Sequence, residues 1–428
     1  MKTVAEINQS YLCTGCGACV AVCPMNAISM EVREGQYYPL VDKSKCNQCG
    51  KCLSVCPGIS MAVRTMASRF WPDNRRNLKI GRFRATYIGY SNNARIRFKS
   101  ASGGIATSLV LSLIRRKIVD GAILTKMSDS RPLQTESFIA RTKEEVISAR
   151  TSKYCPASPV AVIKQLKKTG KKEKFAFVGL PCHIHGVRKL QKEEAWIKDK
   201  IKITIGLFCS HGLTYWGTDF LIDRFAKGKK NVKELRYRGD GWPGGLKVEY
   251  KDGKEFEFSL DEYWPPFFAP YFFTPYRCLT CHDFSSELAD ISLGDAWLKE
   301  IKSKDNKGTS IIIARSELGE RILETMKRDK EITLIEIPYK KVIESQKGIL
   351  GRKKIGIGSR VKSMKFLRKP VPQYDQVFKA SFEGYIGAVL MYFNSMLSKT
   401  KLGRIILKNL PVKYLKRYCG YLYKYAEK

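Results

Sequence analysis

The 428-residue sequence contains no apolar run of the roughly 20 residues that a membrane-spanning helix requires. Residues 1–10 also lack the apolar segment of a secretory signal peptide. Zinc-finger, RNP and KH-type signatures of nucleic-acid-binding proteins are missing as well. These absences predict a cytoplasmic protein, in a reducing compartment where cysteines remain available as thiolates.

Acidic residues are also few, because 40 Asp and Glu oppose 77 Lys and Arg, giving a formal net charge of +37. The basic residues are spread along the chain in short clusters such as Lys171–Lys172 and Lys229–Lys230, a distribution typical of solvated surfaces. The excess charge also suits an acidic protein partner or an anionic membrane. A nucleic-acid function would rest on charge alone, and we expect none.

Cysteine, in contrast, is abundant and regularly spaced. Eight of the fourteen cysteines form two copies of the pattern Cys-x2-Cys-x2-Cys-x3-Cys-Pro. The first copy contains Cys13, Cys16, Cys19 and Cys23, and the second contains Cys46, Cys49, Cys52 and Cys56. This repeat resembles the bacterial-type two-cluster ferredoxins over residues 11–58.

Each copy of this pattern supplies three thiolates to one 4Fe-4S cluster and its last thiolate to the other. The sequence therefore predicts two ligand sets, which are Cys13, Cys16, Cys19 and Cys56 (the first set) and Cys46, Cys49, Cys52 and Cys23 (the second set). Zinc is the alternative, but its sites use one or two Cys-x2-Cys pairs rather than three close cysteines followed by Cys-Pro.

Four later cysteines suggest another site. Cys182 and Cys209 each follow an apolar run of strand length, and Cys278 and Cys281 form a Cys-x2-Cys pair. Sites in parallel sheets form beyond the carboxyl ends of strands, so these sulfurs could hold a third cluster or a zinc ion. Cys155 is a rival fourth ligand, and isolated cysteines are also common as small buried apolar residues.

All four histidines stand within three residues of one of these later cysteines; they are His183, His185, His211 and His282. Neighbouring imidazoles can donate hydrogen bonds to cluster sulfur or move protons. Ordinary surface or core histidines are the other interpretation.

Ser102, Gly103 and Gly104 precede an apolar segment of helical length that starts at Ile105. Backbone N–H groups at a helix start favour a phosphate, and glycines let it approach closely. A short Ser-Gly-Gly sequence is also a common turn without a ligand.

Several segments together resemble the family that contains the beta subunits of the coenzyme F-420 (deazaflavin) hydrogenases and dehydrogenases. They lie between about residues 80 and 345: Ser102–Gly104, Lys153–Cys155, Gly179–Arg188, Tyr237–Gly244, Cys278–Cys281 and Ala289–Trp297. The resemblance implies FAD and a third 4Fe-4S cluster held by Cys182, Cys209, Cys278 and Cys281. It implies flavin or substrate contacts by seven residues: Ser102, Gly103, Gly104, Lys153, Arg188, Arg238 and Asp295.

We therefore predict an α+β protein, with a two-cluster ferredoxin fold followed by an α/β flavin- and cluster-binding region. The predicted domains are a ferredoxin domain (1–62), an irregular basic linker (63–84), the flavin and iron–sulfur region (85–370) and a basic aromatic tail (371–428). Residues 376–428 carry ten Lys or Arg and two Glu, which favours either packing on the core or peripheral membrane attachment.

The predicted function is that of an iron–sulfur flavoprotein oxidoreductase, which passes electrons between 4Fe-4S clusters and a two-electron organic partner through FAD. Deazaflavin coenzyme F-420 is the first substrate to consider, because the resemblance suggests it. The expected partner is a redox protein, either a ferredoxin or a dehydrogenase subunit. The alternative is a non-catalytic electron-transfer subunit of a larger dehydrogenase or membrane complex.

Overall fold

The computed structural model of the protein describes residues 3–428, so residues 1 and 2 of the predicted first domain lie outside it, as do the side chains at positions 8 and 9. The elements of the N-terminal unit are a 3-10 helix (Val4–Glu6), α1 (Ile7–Ser10), α2 (Ala18–Val22), β1 (Ile28–Arg33), β2 (Gln36–Val41), α3 (Lys51–Ser54) and β3 (Ser60–Met61).

The N-terminal unit is built around the cysteine repeat. β1 and β2 pair as an antiparallel hairpin whose turn contains Gly35 at φ +72°. Helices α2 and α3 each start after a glycine in the left-handed conformation, Gly17 and Gly50 respectively. The two helices pack together, which brings the two copies of the motif side by side.

Residues 63–84 are not irregular, so that part of the sequence prediction is wrong. The segment contains α4 (Val63–Phe70) and a small antiparallel pair, β4 (Arg75–Asn77) and β5 (Gly81–Phe83). Val63 and Ala67 lie one turn apart on α4 and are buried in the core. The many basic residues concealed this apolar face, because they occupy the solvent-facing positions.

The large region contains most of the strands: β6 (Ala85–Ser91), β7 (Gly121–Met127), β8 (Thr135–Ala140), β9 (Phe175–Gly179), β10 (Ile201–Leu207), β11 (Val232–Arg236), β12 (Gly245–Tyr250), β13 (Glu255–Ser259), β14 (Ile291–Asp295), β15 (Ser310–Ala314) and β16 (Ile332–Glu336). Eight of them form one mixed sheet in the order β16-β6-β15-β14-β10-β9-β7-β8. β11, β12 and β13 form a separate antiparallel sheet.

The centre of the large sheet is parallel, since β10 pairs in parallel with both β14 and β9, and β9 pairs in parallel with β7. The flanking pairs are antiparallel. These results confirm the predicted α+β class with a partly parallel sheet. They also place the carboxyl ends of β9, β10 and β14 along the same edge, where ligand sites form in such sheets.

Helices and loops cover the large sheet. The helices are α5 (Ala94–Lys99), α6 (Ile105–Arg115), α7 (Lys143–Ser148), a 3-10 helix (Pro159–Lys168), α8 (Pro181–Glu193), α9 (Ala195–Lys200), α10 (Tyr215–Phe225), α11 (Leu260–Phe267), α12 (Tyr276–Leu279), α13 (Lys299–Lys302), α14 (Glu317–Arg328), α15 (Tyr339–Ser345), α16 (Lys347–Leu350), a π-helix (Gly351–Ile355) and α17 (Ile357–Phe366).

The C-terminal tail is folded. It contains β17 (Gln373–Tyr374), α18 (Phe382–Leu397), α19 (Lys401–Asn409) and α20 (Val412–Ala426). β17 pairs in parallel with β3 of the N-terminal unit. Within residues 3–428, none of the helices is long and apolar enough to cross a bilayer.

Candidate cluster and flavin site

The first cysteine set is buried in the N-terminal unit. Cys13, Cys16, Cys19 and Cys56 are all buried, and the backbone N–H of Gly15 donates to Cys13 Sγ at 3.3 Å. Burial, followed by the charges of Cys16, Cys13 and Cys56, raises the pKa of Cys19 well above its usual value. The predicted first ligand set is therefore brought together in an environment that disfavours thiolates until iron supplies positive charge.

The second cysteine set lies closer to the surface. Cys52 is buried, Cys23 and Cys46 are half-buried, and Cys49 is exposed. Burial is the main cause that raises the pKa of Cys52, and the charges of Cys49 and Cys46 add to it. Because Cys23 ends α2, which packs against α3, its position suits the predicted exchange of the last ligand.

The later cysteines form the third set: Cys182, Cys209, Cys278 and Cys281 all line one cavity. Cys182 lies in the first turn of α8 after β9, and Cys209 follows β10 at the same edge of the sheet. Burial raises the pKa of the Cys182 thiol well above normal, and the charges of Cys209, Cys16, Cys278 and Cys281 raise it further. The four sulfurs thus act on one another as a shared site requires.

No group of three or more His, Cys, Asp or Glu among the described residues is arranged to hold a single metal ion. A cubane cluster keeps its four thiolates farther apart than one ion does, because iron and sulfide atoms lie between them. The donor set, four thiols without disulfides, is chemically suited to such a cluster at the first set, where all four are buried, and at the third set, where all four line one cavity.

Cys155, the rival fourth ligand, also lines the cavity but has other neighbours. Burial raises the pKa of its thiol to about 12, while a hydrogen bond with Tyr237 and the charge of Lys153 act to lower it. Cys419 lies elsewhere, buried in the tail, where its Sγ donates to the Pro265 carbonyl at 3.1 Å. The structure thus groups Cys182 with Cys209, Cys278 and Cys281 and leaves both other cysteines with different contacts.

All four histidines are buried. Burial lowers the pKa of His183 to about 4 and, together with Lys189 and Arg277, that of His185 to about 3, so both imidazoles are neutral at pH 7. The Nε2 atom of His185 is buried and has no hydrogen-bond partner among the described groups. His185 follows Cys182 by almost one helical turn and lines the same cavity, so Nε2 is available for cluster sulfur.

The N-terminal unit and the large region meet between the first and third cysteine sets. A Cβ placed on Gly186 of α8 would lie 3.6 Å from Cys16 Sγ. Arg277 donates through Nε to the Gly58 carbonyl at 3.1 Å and through Nη2 to the Pro57 carbonyl at 2.9 Å. Since Arg277 precedes Cys278 and Pro57 follows Cys56, these bonds join ligand loops of two different sets.

A cavity of about 400 Å³ extends along the carboxyl edge of the parallel strands. Five of the seven residues predicted to contact flavin or substrate line it; they are Ser102, Gly104, Lys153, Arg238 and Asp295. The cavity wall also includes Cys13 of the first set and all members of the third set. The structure therefore brings the predicted cluster ligands and most of the predicted flavin residues to one site.

The Ser-Gly-Gly loop forms the start of α6 at the cavity. Gly104 is in the left-handed conformation at φ +76° and begins the helix. A Cβ on Gly103 would lie 2.7 Å from the Gly89 carbonyl oxygen, so this position must be glycine for the loop to pack on β6. Ser102 Oγ donates to the Thr309 carbonyl at 3.0 Å, which fixes the loop against the start of β15.

Lys153 is held beneath the cavity wall by backbone carbonyls. Its ammonium donates to Arg150 O at 2.8 Å and Thr151 O at 3.0 Å, and also bonds to Ala149 O. Burial lowers the pKa of Lys153 to about 7. The side chain therefore provides a cation that titrates near neutral pH.

Arg238 and Asp295 form a buried bidentate ion pair. The Nη1–Oδ2 distance is 2.9 Å and the Nη2–Oδ1 distance is 3.2 Å. The indole of Trp242 donates to Asp295 Oδ1 at 2.9 Å, and Arg238 Nε donates to the Pro243 carbonyl at 2.9 Å. Asp295 ends β14, so the pair links the small antiparallel sheet to the edge of the large one.

Arg188 does not line the cavity and has structural contacts instead. Its Nη2 donates to Asp290 Oδ2 at 2.9 Å and its Nε to the Leu288 carbonyl at 2.8 Å. The guanidinium is buried in this ion pair, so the implied flavin or substrate contact at position 188 finds no support in the geometry. The motif that contains Arg188 stabilises α8 against the loop before β14.

Several wall residues escaped the sequence analysis, among them Tyr37, Arg277 and Lys353. Tyr37 comes from the ferredoxin hairpin and Lys353 from the π-helix, so both reach the cavity only through long-range packing. Burial acts to lower the pKa of the Lys353 ammonium. The charges of Cys281, Cys209 and Cys278 outweigh burial, so the pKa lies above its usual value. Arg277 could have been found, because it stands beside a predicted ligand.

Comparison with known proteins gives matches along most of the chain. Residues 86–164 and 172–340 match the N-terminal and C-terminal family profiles described as coenzyme F-420 hydrogenase/dehydrogenase, beta subunit. Residues 12–58 match the profile of the 4Fe-4S dicluster domain. The match confirms the iron–sulfur character of the N-terminal unit.

The chain is 28% identical over 348 residues to the coenzyme F-420-dependent sulfite reductase of Methanocaldococcus jannaschii, covering 78% of this chain but only 48% of that protein's length. It is 24% identical to one subunit of the F-420H2 dehydrogenase of Methanosarcina mazei, covering 77% of this chain and 86% of the relative. With the beta subunit of the coenzyme F-420 hydrogenase of Methanosarcina barkeri it shares 25% identity over 66% of this chain and 97% of the relative.

Among solved structures, a chain of the F-420-reducing nickel–iron hydrogenase complex from Methanosarcina barkeri has the same fold. The TM-score is 0.53 with 22% identity, covering 70% of this chain and 99% of that one. The two adjacent profile matches agree with this likeness of fold. The chain therefore belongs to the family of coenzyme F-420 hydrogenase/dehydrogenase beta subunits, with a 4Fe-4S dicluster domain preceding the family region.

Proposed function

We propose that the protein is an iron–sulfur flavoprotein oxidoreductase, which passes electrons between three 4Fe-4S clusters and a two-electron organic partner through FAD. One observation carries the proposal: ligands of the first and third cysteine sets line the same cavity as the Ser-Gly-Gly loop at the start of α6. When bound, the clusters exchange single electrons and FAD exchanges one or two, which is the chemistry that the proposal requires.

The three cysteine sets form a continuous series from the surface to the cavity. Cys49 is exposed at one end, in the second set. Cys52 of that set acts electrostatically on Cys19 of the first set, and Cys16 of the first set acts on Cys182 of the third. The chain thus holds neighbouring ligand sets close together, as a relay of single electrons requires.

The composition of the cavity supports FAD. Five basic side chains line it, which are Arg150, Lys153, Arg238, Arg277 and Lys353, against the carboxylates of Asp283 and Asp295. This positive balance and the amino-terminal end of α6 favour an anionic pyrophosphate. The wall also contains four aromatic side chains suited to an isoalloxazine ring, which are Tyr37, Tyr154, Phe208 and Phe268.

The chain's own groups would orient the flavin and exclude water. Arg238 is held rigidly by Asp295 and the Pro243 carbonyl, so its guanidinium has little freedom to reorient. Tyr154 packs edge-on against Trp264 with ring centroids 4.8 Å apart, and His211 stacks on Phe268 at 3.9 Å. These contacts close the apolar side of the cavity.

For the substrate, we propose deazaflavin coenzyme F-420, supported by the names of the relatives. For the one-electron partner, we propose a soluble redox protein or a dehydrogenase subunit that approaches Cys49, because the other two cysteine sets are buried deeper. The expected location is the cytoplasm, where free thiols persist.

The test is the iron, acid-labile sulfide and flavin content of the full-length protein purified anaerobically. We expect about twelve irons and one FAD per chain, as three cubane clusters imply. Cys209→Ser should lower the iron content by about four, whereas Cys419→Ser, a buried cysteine outside the three sets, should leave it unchanged.

About eight irons without flavin would contradict the proposal. That result would favour the alternative of a non-catalytic electron-transfer subunit. If iron and FAD are both present, reduction of the flavin absorbance by reduced F-420 under anaerobic conditions tests the substrate separately.

A further inference from the structure

The outer face of α18 is an apolar stripe. Its exposed members are Phe382, Tyr385, Ile386, Val389, Phe393 and Leu397, which recur at helical spacing along one side of the helix. Phe382 is 80% exposed and Phe393 is 61% exposed. Such a contiguous row of large apolar side chains on a surface marks an interaction site.

The opposite side of α18 is fixed to the core, so the stripe is held outward. Asn394 Nδ2 donates to the Pro270 carbonyl at 2.6 Å, and Ser395 Oγ donates to the Thr274 carbonyl at 2.7 Å. Ser398 Oγ accepts from the Phe273 backbone N–H at 2.9 Å. These buried bonds prevent the helix from rotating to bury its apolar side.

The next helix, α19, has the same arrangement. Leu402, Ile405 and Ile406 are exposed, while Gly403 and Leu407 are buried. Leu402 is 68% exposed. Arg224 anchors the end of α19 by donating to the Leu410 carbonyl at 2.7 Å. The apolar residues of α18 and α19 are defined here as the tail face.

The segment that contains the tail face is rich in exposed basic side chains. Residues 376–428 contain ten Lys or Arg and two Glu, and Glu427 is paired with Arg352 at 2.5 Å. Exposed cations lie before α18, at the start of α19 and on α20; they include Lys379, Lys401, Lys413, Lys416 and Arg417. Apolar residues with surrounding Lys and Arg are the composition of helices that lie in the headgroup region of anionic membranes.

We propose that the tail face docks the protein on the surface of an anionic lipid bilayer, with α18 and α19 lying in the plane of the interface. The apolar side chains enter the boundary between headgroups and acyl chains, and the lysines contact lipid phosphates. The positive charge favours a lipid surface over an apolar protein partner. An anionic bilayer offers acyl chains to the apolar side chains and negative headgroups to the lysines. This inference goes beyond the proposed redox function and does not depend on it.

The experiment is flotation of the full-length protein with vesicles of phosphatidylglycerol and phosphatidylcholine, and with vesicles of phosphatidylcholine alone. We expect binding to the anionic vesicles, weakening as salt concentration rises. Phe393→Asp combined with Ile386→Asp should reduce the bound-to-free ratio at least ten-fold. Leu78→Asp is the matched control, because Leu78 is 67% exposed at a turn far from the tail face in sequence and should retain wild-type binding.

A second variant tests the charge. Lys401→Gln, Lys413→Gln and Lys416→Gln together should weaken binding to anionic vesicles by about two orders of magnitude, since each basic residue near such a surface adds about 1 kcal/mol. Failure of the wild-type protein to bind anionic vesicles would overturn the proposal, as would equal binding to neutral ones. A dimer in solution that Phe393→Asp abolishes, without vesicle binding, would assign the tail face to a second copy instead. Unchanged visible absorbance and thermal unfolding show that each variant is folded.

Discussion

The two copies of the cysteine motif have the same ligand pattern but different surroundings. The first set is buried where the N-terminal unit meets the large region, next to Gly186 and Arg277. The second set is nearer the solvent and includes the exposed Cys49. Since the ligand chemistry is equal, position relative to the large region, rather than the motif, determines how deeply each set is buried.

The strongest test of this comparison replaces equivalent cysteines, Cys16→Ser and Cys49→Ser. Each should remove about four irons. Only Cys16→Ser should also disturb the junction with α8, because Cys16 lies beside Gly186 and acts on Cys182. Iron analysis with thermal unfolding measures both effects, and equal melting temperatures for the two variants would contradict the comparison.

A second test uses the glycines that precede α2 and α3, through Gly17→Ala and Gly50→Ala. Both glycines are left-handed, at φ +86° and +74°, so each alanine should cost about 1–2 kcal/mol of unfolding free energy. At Gly17, a Cβ would also lie 2.5 Å from Ser158 Oγ and 2.6 Å from Ala161 Cβ, whereas at Gly50 it meets nothing within 4 Å.

We therefore expect Gly17→Ala to lower the free energy of unfolding by a further ~1–3 kcal/mol, because the added methyl group overpacks the contact between the N-terminal unit and the large region. Chemical denaturation followed by circular dichroism gives both values. Equal losses for the two variants would mean that the junction rearranges without cost.

A third test compares buried and exposed polar contacts between the two regions. Arg277→Met removes the bonds to the Pro57 and Gly58 carbonyls and leaves these acceptors buried, which should cost about 3 kcal/mol. Lys51→Met removes an exposed ion pair with Glu194 at 3.0 Å, and surface pairs contribute little to stability. We expect the second variant to unfold like the wild type in the same denaturation experiment.

The smallest expected difference is kinetic. Limited exposure to air should release iron first from the second set, because Cys49 is accessible to solvent and the ligands of the first set are buried. The measurement follows iron release and electron paramagnetic resonance signals over time. A few-fold faster first phase of about four irons is expected, and simultaneous loss from all sets would contradict it.

The 4Fe-4S dicluster domain and the principal strands could be predicted from the sequence because both depend on local patterns. The apolar run Phe175–Gly179 before Cys182 forms a strand, and Ser316 caps α14 by accepting from the Gly319 N–H. The placement of Cys182 and Cys209 followed from strand ends in a parallel sheet. Spacing alone was sufficient for these features.

The parts that could not be predicted depend on contacts between distant residues. Lys353 and Tyr37 reach the cavity from elements that carry no motif, so local sequence gives no signal for them. Arg188 does not line the cavity, because a motif identifies its neighbourhood but not its direction, and its partner Asp290 is on the loop before β14. The folded segment 63–84 was missed because its seven Lys and Arg residues hide a small set of widely spaced buried residues, such as Val63, Ala67 and Ile80.

The parallel pairing of β17 with β3 has a consequence for biosynthesis. Gln373 and Tyr374 close the edge of a unit that leaves the ribosome first, yet they are among the last residues to be synthesised. The pairing of β3 is therefore completed only after the whole large region has been synthesised. A chain that ends before residue 373 leaves β3 without its partner strand, whatever the state of the rest of the cysteine repeat.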